Sequence, residues 1–222
     1  MIRYFDAEVT YSKENIFKRL RIEKGTQVYD YSDSVFPRLE KIVKNDLEMV
    51  QCYTILDKTL PMNVAEVDNS SRQVICLSSC SDKIMGQIQK LIDAGDLLEG
   101  YLLNDLVNDI LFRGSDQMNR HIAGEVKRFG FRLSHKFSPG ENDIPLSFQE
   151  YLLSQFREDK KLDYIHLTDS YMLIPEKSML YIYGADPGNP EISVEHDCSQ
   201  CSNTTCFFRQ VKTQASAAGM SC

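Results

Sequence analysis

"VQCYTILD" (residues 50–57) and "RQVICLSSC" (residues 72–80) are two apolar, β-prone runs divided only by a polar connection. Both are short and bounded by charged or turn-forming residues, which predicts two strands in succession. Upstream, "DYSDSVFPRLEKIVKNDLEMV" (30–50) sets Val35, Leu39, Ile42, Val43, Leu47 and Val50 three or four apart, the period of an amphipathic helix, with Ser32 or Asp33 as its cap. Downstream, "SDKIMGQIQKLIDAGD" (81–96) reads as a second helix with a Ser or Asp cap. From Leu97 to Phe129 the apolar residues Leu103, Leu106, Val107, Ile110, Leu111, Met118, Ile122 and Val126 predict one long helix, or two broken near Gly114. Beyond it, residues 129–146 read as strand and loop, 147–163 as helix, 164–184 as a strand pair around Pro175, and 185–197 as linker. The order β-α-β-β-α-α-β-α-β-β breaks a regular βαβ alternation. It predicts an α+β fold: a mixed, largely antiparallel sheet with helices packed on it.

Composition sets the outer limits. A chain of 222 residues can bury a sizeable core, and its 42% hydrophobic and 26% charged residues belong to the ordinary globular class. The turn at Pro187-Gly188 and the Pro190 after it mark a boundary, giving a domain over residues 1–185 and a cysteine-containing tail over 186–222. A net charge of -7 repels a phosphate backbone, so nucleic acid is not an expected partner. Charges fill the N-terminal stretch where a signal peptide needs its apolar run, and no run is long enough to span a bilayer. The expected location is the cytoplasm, with no membrane partner. Thiols stay reduced there, so clustered cysteines point to metal or redox chemistry before disulfides.

Three of the seven cysteines form such a cluster, Cys198, Cys201 and Cys206, at a C-x2-C-x4-C spacing. Two intervening residues let both thiolates of a C-x2-C pair face one ion, which makes zinc or an iron-sulfur cluster the expected occupant. The fourth ligand is open among Cys222, His196, Cys80, a substrate and a partner's cofactor. Redox-active thiols and an inert tail are the other readings of the cluster. Cys52 and Cys76 fall in the predicted strands and read as small apolar core residues, whereas Cys80 sits at a strand-to-helix turn. A different signal lies in "KFSPGENDIPLSFQ" (136–149), where Pro139-Gly140 predicts a tight turn that lets backbone approach a ligand, flanked by Lys136, Glu141 and Asp143. There is no GxGxxG or phosphate loop, and the four histidines suggest no nucleophile and base pair.

Two stretches in this order, "KFSPGENDIPLSFQ" and "LTDSYMLIPEKSMLY" (167–181), resemble the activation domain of vitamin B12-dependent methionine synthase, especially its free-standing versions. The first looks like the family's R-x-x-P-G-Y-G-D-x-P-L-x-x-Q run, the second like its L-T-x-S-x-x-M-x-P-x-x-S-V-S-G run. "CSQCSNTTCFFR" (198–209) is similar to the C-terminal cysteine cluster of free-standing members, so the resemblance covers about residues 90–210. It implies a domain that binds S-adenosylmethionine and presents the methyl group to an oxidised corrinoid, so that methyl group and electron together restore methylcobalamin. The cobalamin would sit on a separate corrinoid-binding methyltransferase subunit, and the electron would come from a donor such as flavodoxin or ferredoxin. The resemblance places the ligand loop on Lys136, Ser138, Pro139, Gly140, Glu141 and Asp143, a ligand-facing tyrosine at Tyr183, and a partner for the ligand's amino group at Asp116. Cofactor chemistry leaves the protein orientation and electrostatics, so no catalytic residue is implied. Lys136 stands where the family has Arg, Gly140-Glu141 where it has Gly-Tyr, and Tyr181 where it has Gly. Those departures carry a second reading: a non-catalytic interaction or metal- and redox-sensing module that kept the fold and lost S-adenosylmethionine.

Overall fold

In the computed structural model, which describes residues 1–57, 61–141 and 144–192, the two apolar runs pair antiparallel, with Cys52 opposite Leu77 and Tyr53 opposite Cys76. The elements in chain order are β1 (Ile2–Tyr4), α1 (Lys13–Arg19), α2 (Gln27–Asp46), β2 (Met49–Leu56), α3 (Ala65–Asp68), β3 (Arg72–Cys80), α4 (Asp82–Asp93) and α5 (Leu97–Arg128). They continue with β4 (Arg132–Leu133), α6 (Phe148–Ser154), a 3-10 turn (Lys160–Leu162), β5 (His166–Leu167), β6 (Leu173–Ile174) and β7 (Ser178–Asp186). Five strands form one sheet in the order β1-β2-β3-β7-β4, and β5-β6 make a separate pair. Every ladder among the described residues is antiparallel. The fold is α+β, built of helices and a largely antiparallel sheet.

Two compact units divide the chain. One contains Met1–Glu8, Met49–Cys80 and the described residues from Arg113 onward. Its sheet is covered on both faces, which is why β3 reads as a continuous apolar run instead of an alternation. On one face Tyr53, Val74, Cys76, Tyr181, Tyr183 and Ala185 pack with Met118, Ile122 and Val126 of α5, so a strand period of two meets a helix period near four. On the other, Cys52, Ile75, Leu77, Leu180 and Ile182 pack with Ile144, Leu152, Leu153 and Phe156 from α6 and its flanks.

The second unit contains Val9–Glu48 and Ser81–Phe112. Within it Arg19 is buried, its Nε 2.8 Å from Asp105 and its Nη2 2.8 Å from Asp109. Asp109 also accepts a bond from the Ser12 backbone N–H at 2.8 Å, at the cap of α1. Paired and hydrogen-bonded in this way, three buried charges are tolerated where a lone one would not be.

Several boundaries differ from the sequence expectation. Helix α2 starts at Gln27 with Thr26 as its cap, the Thr26 hydroxyl accepting from the Tyr29 N–H at 3.2 Å. Ser32, expected as a cap, is buried inside the helix, and Pro37 is accommodated within it. Helix α5 runs unbroken through Gly114. The residues around Pro175 form strands, but β6 pairs with β5 while β7 pairs with β3. Proline cannot donate to a ladder, and the chain changes sheet there. No described helix is long and apolar enough to cross a membrane.

Candidate functional site

The sequence-predicted turn is present. Glu141 donates its backbone N–H to the Ser138 carbonyl at 3.1 Å, and Gly140 donates to the Ile144 carbonyl at 2.8 Å. Proline second and a glycine at φ 88° third are the requirements of a type II turn. The space is also tight, since a Cβ on Gly140 would stand 3.1 Å from the Leu146 side chain. Just before the turn, Phe137 bridges to Ile182 of β7, exchanging backbone bonds of 3.0 and 2.9 Å. That bridge fixes Lys136 beside the sheet, with its Nζ 5.1 Å from the centre of the Tyr181 ring, a cation–π contact.

Tyr181 lies in the core between β7 and α5, 1% exposed. Its hydroxyl donates to Asn119 Oδ1 at 2.8 Å and lies 2.8 Å from Ser115 Oγ, both on α5. Since that proton is committed to Asn119, Ser115 is the donor to the phenol oxygen. The Tyr183 ring meets Tyr181 edge-on at 5.8 Å and is fully buried. Burial, with Cys76 and Asp116 nearby, holds both phenols well above the ordinary tyrosine range. Asp116 follows Ser115 directly on α5.

The structure therefore brings Lys136, Asp116, Tyr181 and Tyr183 to the α5 side of the sheet, with Ser138, Pro139, Gly140 and Glu141 continuing from Lys136 as the turn. Tyr183 belongs to the packed core and has no exposed surface. Asp143 and the cysteines Cys198, Cys201 and Cys206 lie outside the described residues. Among the described residues no group of three or more His, Cys, Asp or Glu is placed to hold a metal.

Sequence reasoning missed Ser115 and Asn119. Their signal was spacing, because they lie four apart on the stripe that carries Met118 and Ile122. It also missed a polar seam on the same sheet face. Gln51 stands opposite Ser78 in the β2-β3 ladder, and among the described residues Gln51 Oε1, Ser78 Oγ and Asn119 Nδ2 are buried without a hydrogen-bond partner. Such groups are costly unless a polar ligand or water reaches them. Chemically, the arrangement offers a cation at Lys136, an anion at Asp116, turn backbone at Ser138–Glu141 and unspent buried polar atoms. Tyr181 is packed in the core beneath Lys136.

No family model matches the chain, and no curated protein matches its sequence. Among solved structures it is similar to the crystal structure of the MetH reactivation domain bound to AdoHcy, with a TM-score of 0.60 at 10% identity. The match covers 87% of this chain and 81% of that one. At that identity the likeness shows a shared fold.

Proposed function

We propose that this chain is a reactivation component of a cobalamin-dependent methyltransferase system of the methionine synthase kind. It binds S-adenosylmethionine beside Lys136 and offers the methyl group to an oxidised corrinoid carried by a separate subunit, with the electron delivered by a flavodoxin- or ferredoxin-like donor. The observation that carries this reading is the shared fold, along 87% of the chain, with a reactivation domain solved with AdoHcy. S-adenosylmethionine would supply the methyl group. This chain's residues would do the holding: Lys136 the ligand carboxylate, Asp116 its ammonium, and the Ser138–Glu141 turn, with Asp143 beyond it, close backbone contact.

Calorimetric titration with S-adenosylmethionine, and separately with AdoHcy, tests it. One-site saturable binding of both supports the reading; no heat from either at millimolar concentration defeats it. A specific observation favours a second reading in that event. Tyr181 occupies the core beneath Lys136 with its hydroxyl satisfied twice, as in a site closed to ligand. The chain would then be a non-catalytic interaction or metal- and redox-sensing module of the same fold that has lost S-adenosylmethionine binding.

The proposed thiolate site at Cys198, Cys201 and Cys206 is common to both readings. Anaerobically purified protein is expected to hold stoichiometric zinc, or iron with sulfide, and Cys201→Ser to lose it. Less than about a tenth of an equivalent of any metal in the parent protein, against the one ion that a thiolate site takes, removes the ligand role.

A further inference from the structure

A second site lies apart from the Lys136 turn. A cleft of about 580 Å³ opens between α6, the 3-10 turn and the β5-β6 pair. That volume is in the range of small-molecule sites, roughly 300–1,000 Å³. Leu153, Phe156, Leu162 and Ile165 give it an apolar lining, and all four are buried. Tyr171 adds an aromatic ring; its backbone is held at φ 62° by a 2.9 Å bond from its N–H to the Thr168 carbonyl. A non-glycine residue in that conformation is uncommon.

The polar lining is rich in acceptors. Glu150 and Arg157 stand 3.9 Å apart and answer each other. Asp163 and Asp169 also line the cleft, and their carboxylates have no side-chain partner among the described residues. His166 Nδ1 lies 3.2 Å from the Tyr164 carbonyl, which can only accept, so in the neutral ring Nε2 is left as an acceptor. Three carboxylates against one guanidinium repel a phosphate or carboxylate and attract a cation. We propose that this cleft binds a small organic amine, its apolar ring or chain against Leu153 and Phe156 and its protonated nitrogen held by Asp163 and Asp169. The lining shares no residue with the Lys136 turn, so the failure of either site leaves the other standing.

The test is an amide NMR titration of the full chain with three probes of one shape: phenethylamine, 2-phenylethanol and 3-phenylpropionate. The amine is expected to shift the amides of Leu167, Thr168 and Asp169 saturably and to bind at least about tenfold more tightly than the alcohol, about 1.4 kcal/mol, with no shift from the propionate. In the folded double variant Asp163→Asn, Asp169→Asn the preference for amine over alcohol should vanish. Equal binding of amine and alcohol by the parent protein, absence of saturable shifts at those amides, or a preference that survives the double variant would overturn the proposal. The parent comparison decides alone if the variant does not fold.

Discussion

Tyr181 joins three elements through one side chain: its backbone is in β7, its hydroxyl engages Ser115 and Asn119 of α5, and its ring lies under Lys136. Removing the hydroxyl leaves both helix side chains buried without that partner. Tyr181→Phe is therefore expected to cost about 1–3 kcal/mol, read as a lower urea midpoint at unchanged slope. Lys136 is argued to act on ligand, so Lys136→Ala should weaken S-adenosylmethionine binding by about 1.5–3 kcal/mol in the calorimeter; unchanged affinity would remove Lys136 from the site. At this scale the turn was readable, because Pro-Gly has a direct conformational meaning. The two side chains that hold Tyr181 were not, since a serine and an asparagine in a helix ordinarily face water. Only the register of the apolar stripe distinguishes them.

Gly184 shows how an element can be misread at a single position. In the sequence it looks like the end of a strand, yet β7 continues to Asp186 and Ala185 is fully buried. The glycine is there because α3 packs onto the strand: a Cβ would fall inside contact distance of Ser70 Oγ and the Glu66 carbonyl oxygen. The strand is pinned at the same residue from its other neighbour, where the Gly184 N–H donates to Ser134 Oγ at 2.9 Å and its carbonyl accepts from the Ser134 N–H at 2.8 Å. Gly184→Ala should lower stability by about 1–3 kcal/mol through overpacking, and hydrogen exchange should show the loss first at Val67 and Asp68. A stability equal to the parent's would mean that α3 yields without cost. Helix α2 illustrates the converse error. Its apolar period was legible, but its start was set by Thr26 and not by Ser32, since several polar residues along the run qualify equally as caps.

Across the whole molecule, local pattern identified strands and helices, and the break in βαβ order identified the antiparallel class. It did not reveal that β3 pairs with β7, Cys76 opposite Tyr181, because no local period encodes a partner so distant in sequence. The β2-β3 register sets Cys52 and Cys76 on opposite faces of the sheet, and the β3-β7 pairing puts Tyr181 and Tyr183 on the Cys76 face, with Cys80 at the end of β3. Burial pushes the Cys52 and Cys80 thiols from 9.0 to about 12, and raises Cys76, Tyr181 and Tyr183 well above their ordinary values. The sign of the consequence follows from linkage. A folded-state pKa above the unfolded one means that, once pH passes the unfolded value, the unfolded chain releases protons that the folded chain retains, so stability falls as pH rises. This contribution is fully present well below pH 9.0 and begins to be lost as pH nears that value, about which the unfolded thiols ionise. The cysteines should begin to erode it there, the two buried tyrosines should add from their ordinary 10.0, and the loss should run on as pH rises towards the folded values. Urea unfolding in steps from pH 7 to 11 should therefore give a midpoint flat with respect to these groups up to about pH 8.5 and steeply falling beyond it. Cys52→Ala with Cys80→Ala should lessen the first part of the fall, where Cys76 still contributes, and leave the later part, to which Tyr181 and Tyr183 contribute together with the raised Tyr4 and Tyr11. A midpoint that holds constant to pH 11 would mean that these five groups are reached by water in the folded protein, and that the sheet faces are not the closed layers described above.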